Sequence, residues 1–166
     1  MLAVWRRELG FDTRRADCSV SSYEGIDVDD LIMRRMRRWY LDVLDNARPG
    51  LVPTADVASQ TSVSNDGAGW AVVRFPPSVR RPLSIRLKGW ENTAPVMTPH
   101  QASAALQRMA SPFGKPGACN PLAIIRPDGT VKAYPYGSAA ESAIAVTDPG
   151  PDTYILDESL LTSFSL

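Results

Sequence analysis

At 166 residues and 44% hydrophobic content, the chain can bury the core of one domain, or of one domain with a small appendage, and wholesale disorder is excluded. Its 18 basic and 18 acidic residues cancel, which argues against a protein that lives on phosphate backbones, since such proteins carry a clear basic excess. The two cysteines, Cys18 and Cys119, belong to no CxxC and no Cys/His cluster, so there is neither a zinc motif nor a secreted disulfide framework.

Both thiols are expected to be reduced and buried. The opening MLAVWRRELGFD lacks a basic-then-apolar leader pattern, and no apolar run approaches the roughly 18 residues of a membrane span. The composition predicts a soluble protein made in a cytoplasm.

In chain order, residues 2–9 predict a short helix ending at Gly10, and residues 17–25 a turn-rich connector. The clearest helix runs from about Asp27 to about Asn46. Asp27, Asp29 and Asp30 supply capping groups and favourable charge at its start, and Arg48-Pro49-Gly50 ends it. Ile32, Met36, Trp39, Tyr40 and Val43 recur at steps of three and four and form one apolar stripe. At about 100° per residue, Arg34, Arg37 and Arg38 fall opposite that stripe and Arg35 on its flank.

Four arginines in MRRMRRWY invite a nucleic-acid reading. The local acids weigh against it. Asp30 precedes Arg34 by four, Asp42 follows Arg38 by four, and Asp45 lies one turn further on; such spacings pair charges along a helix. The first 50 residues hold nine arginines and nine acids. A solvated or protein-facing surface is the expectation, with Trp39 and Tyr40 in the core.

Residues 51–69, poor in long apolar side chains, predict a loop with a short turn at TADVASQ, separating a helical N-terminal portion (1–50) from a β-rich portion (70–166). Strands are expected at residues 70–75, stopped by Pro76-Pro77, and at 83–88, where Leu83, Ile85 and Leu87 alternate with polar residues. Thr98-Pro99-His100-Gln101 reads as a capping box that opens a helix to about residue 110. Leu122–Ile125 and Thr130–Tyr134 flank Arg126-Pro127-Asp128-Gly129, a tight hairpin in which Pro presets φ and Gly accepts positive φ. Residues 143–146 and 153–156 predict further strands, with 138–143 open to a helical reading. A last short helix is expected from Asp157, using Leu160, Leu161 and Phe164. The fold class is therefore α+β: a helical N-terminal portion packed on a mostly antiparallel sheet, one helix inserted between strands and a short one at the end.

No chemical constellation stands out. His100, the sole histidine, falls in the exposed first turn of a helix. No GxSxG elbow is present, and Asn65-Asp66-Gly67-Ala68-Gly69 precedes a strand, where a phosphate cradle precedes a helix. Asp29-Asp30 and Asp157-Glu158 stand at helix starts, where negative charge is favoured without catalysis. No metal or cofactor is implied. The enzyme alternative is a site between the sheet and the 98–110 helix, built from His100, Trp90, Cys119 and Tyr134.

A short amphipathic helical module (IDVDDLIMRRMRRWYLDVLDN), a compact β portion (LSIRLKGW, LAIIRPDGTVKAYP) and a terminal TYILDESLLTSF together resemble, in layout, the ring and adaptor subunits of tailed-bacteriophage necks. That resemblance implies a non-enzymatic virion component at the head–tail connector. It implies a homo-oligomeric ring, with neighbouring portal or tail proteins as partners, nucleic acid met only indirectly and no membrane. The protein would be in the host cytoplasm during assembly and then in the virion. Arg34, Arg35, Arg37 and Arg38, the 51–69 loop and both chain ends would be its interfaces.

Overall fold

The computed structural model describes residues 22–23, 26–109, 111, 114–151 and 153–154. The expected helices at 2–9 and from Asp157 lie outside the described residues, as does Cys18. Two compact units, Met1–Asn46 and Ala47–Leu166, make up the chain.

In the first unit, β1 (Ser22–Tyr23) pairs antiparallel with β2 (Ile26–Asp27) and leads directly into α1 (Val28–Asn46). The helix buries Ile32, Met36, Tyr40 and Leu44, one residue every four. Trp39 and Val43, expected in that stripe, are only half-buried, and Leu44 takes the place at its C-terminal end. A strict four-residue step advances about 40° each time, so the buried line winds around the helix away from Trp39 and Val43.

The second unit is an eight-stranded sheet. Its strands are β3 (Thr54–Asp56), β4 (Ser62–Asn65), β5 (Ala71–Arg74), β6 (Val79–Leu87), β7 (Ala94–Met97), β8 (Leu122–Ile125), β9 (Val131–Tyr134) and β10 (Ala140–Thr147). They lie in the order β3-β10-β6-β7-β8-β9-β5-β4. Only β7 and β8 run parallel, and α2 (Ser103–Arg108) lies on the crossover between them. The chain is α+β.

Consecutive strands β3 and β4 occupy opposite edges of this sheet. Laid flat, eight strands would span about 34 Å. The five residues between Asp56 and Ser62 reach at most about 21 Å. The sheet therefore curls until its edges approach. Bulges in the β6–β10 pairing at Glu141, Leu83 and Arg80 supply bending, and Pro82, which lacks an N–H, sits in that irregular stretch. The inside of the curl is filled by side chains. Half of its twelve buried residues are alanines, among them Ala71, Ala123, Ala133, Ala143 and Ala145, which suits a narrow tube. Trp90, just beyond β6, closes one end, its indole Nε1 donating to the Pro135 carbonyl at 2.9 Å. On the outer face, Leu122 and Ile124 of β8 pack with Ala102 and half-buried Ala105, Met97 and Trp70, so α2 covers that side.

Several local expectations hold. Gly129 at φ 79° donates its N–H to the Arg126 carbonyl at 3.0 Å, and the Arg126 N–H donates to the Thr130 carbonyl at 2.8 Å, closing the β8–β9 hairpin. Thr98 and Gln101 make the reciprocal bonds of a capping box, Gln101 Oε1 accepting from the Thr98 N–H at 2.9 Å and Thr98 Oγ1 from the Gln101 N–H at 3.4 Å, but residues 99–102 form a turn and the helix expected to about residue 110 spans only Ser103–Arg108. Other expectations fail. Residues 51–69 are not a plain loop, for they contain both edge strands. Of the two readings open for 138–143, residues 140–143 are strand, and residues 153–154, the described part of the strand expected at 153–156, belong to no strand.

Candidate functional site

The arginine face of α1 is less uniform than the sequence spacing implies. Arg34 Nη2 meets Asp30 Oδ2 at 2.8 Å, one turn apart, with both side chains largely in solvent. Arg37 is half-buried, because the winding apolar stripe passes beside it; its guanidinium carbon sits 5.8 Å from the Tyr40 ring centroid. Arg35 and Arg38 are exposed, and among the described residues neither makes an ion pair. The expected Arg38–Asp42 pair does not form: Asp42 Oδ1 accepts from the Asn46 amide at 3.0 Å instead. Arg35 and Arg38 are thus the outward-facing cations of this helix, and Arg34 is partly neutralised.

The residues of the enzyme alternative do not converge. His100 is exposed in the capping turn, and among the described residues its imidazole makes no hydrogen bond to Cys119, Trp90 or Tyr134. Cys119 is exposed, contrary to the expectation of a buried thiol, and its Sγ donates to Glu91 Oε2 at 3.0 Å. That hydrogen bond to a carboxylate, reinforced by its charge, pushes the thiol pKa up, the opposite of what a nucleophilic cysteine needs. Trp90 is a structural plug. Among the described residues, no three or more His, Cys, Asp or Glu gather as metal ligands, and no helix is long and apolar enough to cross a membrane.

An aromatic and cationic cluster escaped the sequence reading. Trp70, just before β5, stands opposite Tyr134 of β9, ring centroids 5.1 Å apart and planes tilted at 55°. Lys132 Nζ lies 5.4 Å from the Trp70 ring and Lys115 Nζ 5.2 Å from the Tyr134 ring. Lys132 also pairs with Asp66 at 3.0 Å, and Asp66 accepts the Ala68 and Trp70 N–H groups. The Lys132 hydrogen bond is the main cause that lowers the Asp66 pKa. The one available signal was the alternation Val131-Lys132-Ala133-Tyr134, which puts Lys132 and Tyr134 on the wet face together. The lysines already lie over both rings, so the cluster reads as a lid on the outer apolar patch.

At the end of the curl away from Trp90 lies an open cavity of about 450 Å³, formed by the end of β5, the start of β6 and the β8–β9 turn. Phe75, Val79 and Ile125 make its apolar wall, and Arg74 and Arg80 line it as well.

No protein-family model and no curated protein matches the chain.

Proposed function

We propose that the chain is a non-enzymatic structural subunit that works through protein–protein interfaces, as a component of the head–tail connector of a tailed-phage or prophage particle. The observation that carries the interface reading is the outward face of α1, where Arg35 and Arg38 reach solvent beside a partly neutralised Arg34. The first 50 residues are charge-balanced, so this face offers a mixed-sign pattern suited to a protein partner more than the uniform field a phosphate backbone calls for. A curl filled by its own side chains leaves the outer surfaces, rather than a central chamber, for binding. The virion location rests on the likeness of layout to neck subunits. Copies of this chain in a ring, with portal or tail proteins as neighbours, are the partners proposed.

Sedimentation velocity of the full-length chain, over a concentration series with and without a DNA duplex, tests this. Self-association that rises with concentration, with the duplex sedimenting alone at physiological salt, is the expected result. A concentration-independent monomer that carries the duplex with it and releases it as salt rises would overturn the reading.

A further inference from the structure

We infer that the free edge of β4 is a strand-pairing surface for a second copy of this chain, the two β4 strands running antiparallel about a two-fold axis at Ser64. The pairing rests on the self-association proposed above. β4 is the last strand of its sheet, and among the described residues it shares no ladder with β3 at the other edge. Ser62, Ser64 and Asn65 are exposed, while Val63 packs against the core of the curl. An edge of this kind is a template for a further strand.

The ladder on the other side of β4 fixes which groups are free. The Asp66 N–H donates to the Trp70 carbonyl at 3.0 Å, and the register opposes Ser64 to Val72 and Ser62 to Arg74. Residues alternate in an antiparallel ladder, so the backbone groups of Ser62 and Ser64 turn toward β5 and those of Val63 and Asn65 turn to the free edge. Two copies centred on Ser64 set Val63 of each against Asn65 of the other, and every outward N–H of these residues meets a carbonyl. Centring on Val63 instead would oppose Asn65 to Thr61, whose N–H already donates to the Ala58 carbonyl at 3.2 Å.

Charge and composition also fit self-pairing. Residues 57–65 carry no charge and no proline, the devices that blunt an edge, whereas β3 carries Asp56 and follows Pro53. Asp66 falls opposite Ser62 of the other copy, its carboxylate held by Lys132 at 3.0 Å, so no like charges meet. Small serines stand opposed at the axis. Strands of this length, Ser62–Asn65, bury far less together than the roughly 1,000 Å² of a lasting interface. The pairing therefore forms only between copies that the α1 face already holds together. Being isologous, it joins them in pairs, so the assembly contains an even number of copies.

The full-length chain with Ser64→Cys, in a Cys18→Ser/Cys119→Ser background, tests this under mild oxidation, beside Ser62→Cys in the same background. At the axis the two Cα atoms stand about 4.5 Å apart, within disulfide reach, whereas the two copies of position 62 lie about 14 Å apart. Disulfide-linked dimers through position 64, at least about fivefold more abundant than through position 62, are expected. Native mass spectrometry of the reduced protein separates this pairing from the self-association beneath it. Oligomers in which position 64 does not crosslink, or crosslinks no better than position 62, would overturn the strand pairing alone. A reduced chain that is monomeric throughout would overturn the self-association and the pairing with it.

Discussion

Individual residues in the sheet act mostly by holding backbone in place. Asp56 is the clearest case. Its Oδ1 accepts the Ala143 and Ala58 N–H groups, both at 3.0 Å, and its Oδ2 accepts the Ser142 hydroxyl at 3.0 Å, so one carboxylate ties edge strand β3 to β10 and to the turn beyond it. The Ala143 and Ala58 bonds lower its pKa from the usual 3.8. A folded-state pKa below the unfolded one contributes stability at pH values above about 4, and that contribution is lost as pH falls through the lower folded value. Asp66 and Asp128, also lowered by hydrogen bonds, share the same sign. Asp56→Ala should cost about 1–2 kcal/mol in urea unfolding at neutral pH, with the deficit shrinking below about pH 4. A pH-independent deficit would show that the carboxylate is not the cause. Glu91 acts on Cys119 in the opposite sense. In a Cys18→Ser background, Glu91→Gln should raise the alkylation rate of Cys119 by iodoacetamide at neutral pH, since more thiolate is then present.

At the scale of elements, what could be read from sequence depended on whether side chains or backbone define the element. The β8–β9 hairpin was legible because Pro127, Asp128 and Gly129 each do a local job, and the capping box because Thr98 and Gln101 need only each other. α1 was legible from its period, but Arg37 was misplaced, since the buried line steps by four and winds toward it. Strands β3 and β4 were not legible. They are short, exposed edges whose placement comes from ladder hydrogen bonds that any sequence can make. Residues 143–146 read as strand, but the start of β10, within 138–143, was open to a helical reading; the narrow interior of the curl requires small side chains at Ala143 and Ala145, and that demand is tertiary. The Trp70–Tyr134 pairing shares this origin, because the register of β5 on β9 sets it. Before β10, Gly137 is buried against the end of β6, where an added Cβ would lie 2.6 Å from both Leu87 Cβ and the Lys88 carbonyl oxygen. Gly137→Ala should therefore destabilise by about 1–3 kcal/mol, whereas Gly50→Ala, with open space around it, should change the melting point little.

In the second unit, the short link between β3 and β4 is what turns eight strands into a curl, and the curl's interior is filled by its own side chains. The proposed role as an assembly subunit rests on the first unit, above all on the solvent-exposed Arg35 and Arg38 of α1. Native mass spectrometry of the full-length chain, beside Arg35→Glu/Arg38→Glu, tests it most directly. The account predicts discrete oligomers for the unaltered chain and monomers for the variant, with the same melting temperature for both. A chain that remains monomeric at every concentration, or a variant that assembles as the unaltered chain does, would contradict it.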